Sequence, residues 1–488
     1  MYGKKNKAMN VLGDKYKKLP IQAKASLWFL VCAFFQKGIA FISTPIFTRI
    51  LSTDEYGQYN VFISWKNVVS VIVTLNLFAG VYIRGLVKYS EEKRVFSSSL
   101  QGLTLTLVGI WSLIYFGFHN FFNQLFNLNS LQMLLMLLTI WTSSVFAFWS
   151  MEQRVDNKYR MLVAITVIVT ILKPIVSITL IGLADDKATA RILGVSIVEV
   201  VFFVGMFAAQ MKRGRVFFEK RFWKHALAFN IPLIPHYLST SVLNSADCIM
   251  VKRMVGESAA GIYSLAYSVS MIMTVFNTAL IQTIEPWLYK KINEKKIEDI
   301  SRVAYPSFLI VATVNLVLIA IAPEVVRVFA PIEYYDAIYV IPPVAMSVFF
   351  MFSYIFFAVF EFYYEKTKLV TLGTTVGALL NIVMNYFFIN RYGYIAAGYT
   401  TLICYMAYAG FHFCFMYLIC KRKFDGIQPY SIKVYFLITG LFLACGFILL
   451  KCYENFLARI CFISIVTIVV ILFRKKLLLL YKQIIGDL

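Results

Sequence analysis

Apolar residues run along this chain in stretches of about 20, the helix length that crosses a ~30 Å hydrocarbon layer, and short segments rich in lysine and arginine separate them. Hydrocarbon admits only elements that satisfy their own backbone hydrogen bonds, so each stretch is read as a helix. The pattern predicts fourteen spans, over 26–48, 59–82, 98–118, 131–151, 161–183, 190–211, 226–249, 262–285, 303–322, 338–360, 369–389, 396–419, 434–450 and 456–473. The expected fold class is an all-α polytopic membrane protein. Composition excludes the alternatives: of 488 residues, 60% are hydrophobic and only 15% charged. A soluble enzyme, a disordered scaffold and a secreted disulfide-rich protein all need a different balance.

A formal net charge of +22 raises nucleic acid as a partner, so the placement of the charge decides. With the N-terminus inside, 35 of the 47 Lys and Arg fall in alternate loops and tails and nine on the opposite side. The remaining three, Lys37, Lys66 and Lys173, lie within spans. That bias places both termini in the cytoplasm. The basic residues sit in short segments facing anionic membrane lipid, which removes the argument for nucleic acid. Residues 1–24 form a basic cytoplasmic segment without a cleavable signal. Met9, Leu12, Tyr16 and Leu19 fall near helical spacing there. A short interfacial helix and a solvated tail both fit.

An internal repeat organises the chain. At an offset of 204 residues, Arg49, Gly57, Tyr59, Ser64, Val71 and Thr74 fall on Arg253, Gly261, Tyr263, Ser268, Val275 and Thr278. Six spans separate the copies, so the halves share orientation and are related by an axis along the membrane normal. The expected organisation is an N-lobe at 25–211 (spans 1–6) and a C-lobe at 212–420 (spans 7–12). Residues 421–488 add two extra C-terminal spans and a basic tail. Such halves place a substrate site between them. Polar stripes on spans 1, 2, 7 and 8 are the expected lining: Ser43 and Thr44, then Ser64, Asn67, Ser70 and Thr74, then Tyr237, Thr240, Ser241 and Asn244, and Tyr263, Tyr267, Ser270, Thr274 and Asn277. Hydrogen-bonding glue between helices is the alternative for such residues.

Charges inside hydrocarbon are costly and point to function. Lys37 is central in span 1, beyond snorkelling reach, and Lys66 lies about two turns inside span 2. Lys173 and Glu199 are central in the hairpin of spans 5 and 6, where both a cavity role and a mutual ion pair fit. Pro174 suggests a kink beside Lys173, and Pro232 and Pro235 break the start of span 7, as in a helix that bends during gating. Asp247 and Glu285 are candidates for ion coupling. His236 is a candidate titrating group, with an ordinary hydrogen-bonded histidine as the alternative. Eight cysteines show no C-x-x-C, and four histidines are scattered, so neither a disulfide nor a metal site is expected. No cofactor and no enzyme activity are expected either: the loops are short, nucleotide and hydrolase motifs are absent, and the Asp185-Asp186 pair reads as a cap or a solubilising hairpin.

Three motifs carry a resemblance. They are Ser52-x-Asp54-Glu55-Tyr56-Gly57-x-Tyr59, Ala226-x-x-Phe229-x-Ile231-Pro232-Leu233-x-Pro235-His236 leading to Asp247, and Tyr392-Gly393-Tyr394-Ile395-Ala396-Ala397-Gly398. In this order the chain resembles the Wzx-type flippases for lipid-linked polysaccharide (O-antigen) repeat units. These belong to the multidrug/oligosaccharidyl-lipid/polysaccharide exporter superfamily, and the likeness covers essentially the whole chain. It implies a bacterial inner-membrane flippase with two six-helix lobes, alternating access and a cationic central cavity. The implied partners are a polyprenyl-pyrophosphate-linked glycan and the polymerase or assembly proteins of the same polysaccharide. The related lipid II flippases keep basic residues on spans 1, 2 and 8; Lys37 and Lys66 match the first two roles, and span 8 has no internal basic residue. Lys173, Ser70, Thr74, Tyr237, Asn244, Ser270 and Asn277 complete the expected substrate set, with Glu199 added to the coupling set. A drug or cation antiporter on the same scaffold, and a non-transporting assembly scaffold, are the alternatives.

Overall fold

The computed structural model describes residues 21–468, so the leader helix expected around Met9–Leu19 and the basic tail lie outside the described residues. Every regular element among the described residues is a helix. Two helices open the chain, α1 (Ile21–Ile50) and α2 (Thr53–Thr74). They are followed by α3 (Gly80–Lys88), α4 (Lys93–Gly117), α5 (His119–Phe126), α6 (Ser130–Val155), α7 (Tyr159–Ile181), α8 (Lys187–Gly214) and α9 (Lys220–Asn230). A 3-10 turn at Ile231–Leu233 leads to α10 (Ile234–Met254), α11 (Glu257–Met271), α12 (Met273–Asn293), α13 (Ile300–Ala320) and α14 (Ala322–Phe329). After a 3-10 segment at Ile332–Tyr339 come α15 (Ile341–Tyr363), α16 (Thr367–Tyr392), α17 (Ile395–Lys423) and α18 (Ile432–Lys451). A shorter apolar helix, α19 (Phe456–Ile468), closes the described part.

Eleven helical stretches are long and apolar enough to cross a membrane. The expected count of fourteen is therefore not reproduced by length and apolarity alone. Helices stand at the other three predicted positions, with physical reasons for the difference. Asp54, Glu55 and Lys66 make α2 polar, and Asp247, Lys252 and Arg253 do the same for α10. The predicted end of span 14 runs past the described residues. Span 8 is also divided, with Ile272 separating α11 from α12.

The chain groups into two compact units. One ends at Ser43, resumes at Val69 and runs to Ile234; the other takes Thr44–Val68 and continues from Pro235. In the first unit Tyr82, Phe96, Phe148 and Phe222, all essentially inaccessible, join α3, α4, α6 and α9. The Tyr82 hydroxyl meets Ser97 Oγ at 2.8 Å. A buried polar chain runs beside them: Gln101 Nε2 donates to Gln210 Oε1 and Gln210 Nε2 to Glu152 Oε2, both at 2.7 Å. Arg213 closes that chain 3.5 Å from Glu152. In the second unit Phe308 is the hub of an aromatic core with Phe349, Phe352, Phe356 and Tyr435. Large apolar side chains such as Leu113, Val201 and Phe436 point outward, as lipid-facing residues do.

Helix starts follow capping chemistry. Asn129 and Gln132 form a capping box on α6. Asp186 accepts from the Thr189 amide at 2.9 Å, so the Asp185-Asp186 pair supplies the cap of α8. Outside the spans, Asp156 at the end of α6 bonds Lys93 and Lys158. Burial would raise its carboxyl, but those two ammonium groups hold it below the usual carboxylate range.

Candidate functional site

In the second unit, the loop motif after α1 explains itself. Ser52 Oγ accepts from the Glu55 amide and the Ser52 amide donates to Glu55 Oε2 at 2.8 Å, a capping box at the start of α2. One turn later Gly57 meets α11. A Cβ at Gly57 would lie 2.1 Å from the Glu257 carbonyl oxygen, and one at Gly261 2.1 Å from the Thr53 carbonyl oxygen. Thr53 and Glu257 share the same 204-residue offset as Gly57 and Gly261, so the contact is reciprocal, as a two-fold axis requires. Ser258 Oγ donates to Thr53 Oγ1 at 2.7 Å across it. The two glycines of the repeat are thus the point where two helix backbones touch.

The same unit holds a caged carboxylate. Asp247, on α10, is 3% exposed. Oδ1 accepts from Asn381 Nδ2 at 2.9 Å and Asn385 Nδ2 at 2.5 Å; Oδ2 accepts from Tyr263 Oη at 2.9 Å and Thr401 Oγ1 at 2.6 Å. Three helices besides its own, α11, α16 and α17, supply these donors. Four donors satisfy a buried anion. The same oxygen-rich set suits a proton or a small monovalent cation, because the amides can turn their carbonyl oxygens inward. The predicted span 226–249 puts Asp247 two residues from its end. Instead it is enclosed, because α10 extends past the predicted span to Met254. Asn381 and Asn385 were missed, although an i, i+4 asparagine pair in an apolar stretch is a visible signal. Tyr263 had been placed in a polar stripe only, and Thr401 carried no sequence signal.

In the first unit Lys173 and Glu199 are bonded to each other, Nζ to Oε1 at 2.7 Å. Glu199 Oε2 also accepts from Thr142 Oγ1 at 2.9 Å and from Ser143 Oγ at 3.2 Å. Of the two roles open to them, the ion pair is the one observed: opposite charges on adjacent helices neutralise each other where solvent cannot.

The remaining expected residues divide. Lys37 is exposed midway along α1 and Lys66 is half-buried on α2. Asn244 is exposed and donates to the Thr240 carbonyl at 2.9 Å. Ser70 and Tyr237 are half-buried, as is Glu285 on α12. Three others are buried and bonded within the protein. Thr74 is 1% exposed and donates to the Ser70 carbonyl at 2.7 Å. Ser270, fully buried, meets the carbonyls of Ala266 and Ile341. Asn277, 5% exposed, donates to the Val348 carbonyl at 3.1 Å. Ser270 and Asn277 brace α11 and α12 against α15, the glue role for polar residues in lipid-embedded helices. Pro232 lies in the 3-10 turn and Pro235 in the first turn of α10, where proline breaks no hydrogen bond, so they join two helices rather than kink one. His236 Nδ1 lies 3.1 Å from Thr374 Oγ1, an ordinary hydrogen-bonded histidine beside a cleft of about 250 Å³.

Comparison with known proteins gives two family matches. Residues 23–292 match the family described as "Polysaccharide biosynthesis protein", and residues 232–387 match MatE. No curated protein matches by sequence. Among solved structures the chain is similar to a lipid II flippase, MurJ, in an inward closed conformation. Identity is 17%, over 92% of this chain and 99% of that one, with TM-score 0.66. It is also similar to an inward-facing multidrug resistance MATE transporter, at 12% identity over 80% and 96%, TM-score 0.61. A MOP superfamily transporter from Pyrococcus furiosus follows at 13% identity over 83% and 96%, TM-score 0.56. Identities this low establish a shared fold.

Proposed function

The chain belongs to the polysaccharide biosynthesis protein family, and on that premise we propose that it is a flippase for a polyprenyl-pyrophosphate-linked oligosaccharide repeat unit. It works in the bacterial inner membrane, with both termini cytoplasmic, by alternating access through a cationic cavity. The polymerase and assembly proteins of the same polysaccharide are its partners.

The observation that carries this reading is Lys37. It is a cation exposed halfway along a 30-residue helix of membrane-crossing apolarity. A charge at that depth needs water or an anion beside it. The glycan headgroup would shed its hydration in hydrocarbon, and a pyrophosphate needs a counter-charge there. Lys37 and Lys66 supply that charge, and the prenyl tail stays in lipid. Ser70, Tyr237 and Asn244 are proposed as hydroxyl and amide contacts to the sugars. Asp247 in its cage is the proposed ion-coupling group, with Glu285 beside Pro286 as a second. The turn at Pro232 and Pro235 is the proposed hinge.

A cation antiporter on the same fold is the second reading. The enclosed carboxylate of Asp247 and the match of 232–387 to MatE favour it. One experiment separates them: surface-polymer production in a flippase-deleted host, normalised to the membrane level of each variant. Lys37→Arg keeps most production, because it keeps the charge despite a different donor geometry. Lys37→Gln loses it about tenfold or more, equivalent to roughly 1.4 kcal/mol of lost interaction. Lys66→Gln loses less, being nearer screening water. Full production by Lys37→Gln at equal protein level would sink the cationic-cavity reading and leave the antiporter.

A further inference from the structure

A second buried ionisable pair lies in the second unit, apart from the Asp247 cage. Glu361, near the end of α15, and His412, on α17, are both at 0% exposure. His412 Nδ1 lies 2.7 Å from Glu361 Oε1. Glu361 Oε2 and His412 Nε2 are buried without a hydrogen-bond partner among the described residues. Asp247 in the same unit has four donors, so the two carboxylates are built for different tasks. Asp247 is fully bonded by neutral donors, whereas Glu361 is held by one imidazole alone.

We propose that Glu361 and His412 form a proton-binding site that exchanges its proton through the adjoining cleft. The pair has three protonation states. With one proton shared between carboxyl and imidazole it is neutral overall, and this is the form its surroundings accept. Removing that proton leaves a net negative charge, and adding a second leaves a net positive one, with no fixed countercharge to compensate either. No Lys or Arg is among the described residues lining the cleft. The titratable groups around the pair are Tyr354 on α15, Tyr405 and Tyr408 on α17, His236 on α10 and, acting on Tyr354, Glu285 on α12. The Tyr408 ring stands edge-on to the imidazole with centroids 4.5 Å apart, and α16 approaches Nε2 at Gly373.

The cleft gives the proton a route. It holds about 250 Å³, is lined by His412 itself, and carries His236, Thr240, Asn244 and Thr374 as polar wall groups. That volume admits several waters, and these groups offer each of them partners. A water entering at His412 would meet the unpartnered Nε2, which accepts a proton when neutral and donates one when charged. The carboxyl then receives or returns the proton through Nδ1. No bond other than these N–H and O–H bonds changes.

The test is an infrared pH titration of the purified full-length protein in lipid nanodiscs, from about pH 4 to about pH 9, a range spanning ordinary carboxyl and imidazole values. A protonated-carboxyl band grows in as pH falls. Glu361→Gln removes that carboxyl's share of the band, read in the difference from wild type, while Asp185→Asn, at an exposed carboxyl, leaves that share in place. His412→Gln shifts its midpoint by about one pH unit or more, a tenfold change in proton affinity. Should a single variant aggregate, the uncharged double variant Glu361→Gln/His412→Asn replaces it, and loss of the band is read there. An unchanged titration in Glu361→Gln or in the double variant overturns the proposal, as does an unmoved midpoint in His412→Gln. The titration needs no glycan, so its outcome is independent of the Lys37 experiment.

Discussion

Glu199 and Asp247 keep a buried carboxylate in two ways, and the difference predicts how each tolerates mutation. Glu199 has a counter-ion in Lys173 with two hydroxyls in support, whereas Asp247 has four neutral donors. Removing one partner of a buried pair costs about 3–5 kcal/mol, and removing both costs much less. The Lys173 side chain is 30% exposed, which puts this pair at the low end. Lys173→Met and Glu199→Gln should each lower membrane protein level and thermal midpoint, and the double substitution should restore both. Equal depletion in all three, measured by blot and by thermal unfolding in detergent, would show that the two do not act as a pair. The pair was legible in the sequence as one of two alternatives, because both charges are central in adjacent spans. The Asp247 cage was not, because three of its four donors come from residues more than 130 positions away and the primary sequence does not pair them.

At the scale of elements, the crossing of α2 and α11 converts a sequence repeat into a contact. The repeated glycines are where a side chain cannot fit. Gly57→Ala and Gly261→Ala should each force the backbones apart, at about 1–3 kcal/mol of overpacking strain. Gly38→Ala on α1, with nothing within 4 Å of its added methyl, should be silent or slightly stabilising. Thermal midpoints of the three variants measure this, and equal midpoints for Gly57→Ala and Gly38→Ala would refute the close crossing. Gly393 answers to a different constraint: it ends α16 at φ +71°, a conformation that side chains resist. Both glycines lie in the motifs that carried the resemblance. One is there for proximity and the other for backbone conformation.

For the whole molecule, the alternation of basic loops predicts which segments face outward. In a background with the native cysteines replaced, cysteines at Leu183 and Val255, both exposed, should react with an impermeant thiol reagent applied from outside. One at Lys295, also exposed, should not. Val255 serves better than its neighbour Ser258, whose hydroxyl is tied to Thr53. Labelling at Lys295 in outer-permeabilised cells would overturn the span order. The sequence by itself determined the helical class, the position of the long apolar helices and the membrane as solvent, because apolar length and backbone satisfaction are local properties read along one chain. It also determined the repeat, since an offset is a property of sequence alone. Only the tertiary structure decided which polar residues are spent inside the protein. Thr74, Ser270 and Asn277 carry the same side-chain chemistry as the half-buried Ser70 and the exposed Asn244, and the neighbour a helix face meets settles how far each is buried. Only the tertiary structure, too, brought Glu361 to His412, 51 residues apart on two helices that each read as plain apolar spans.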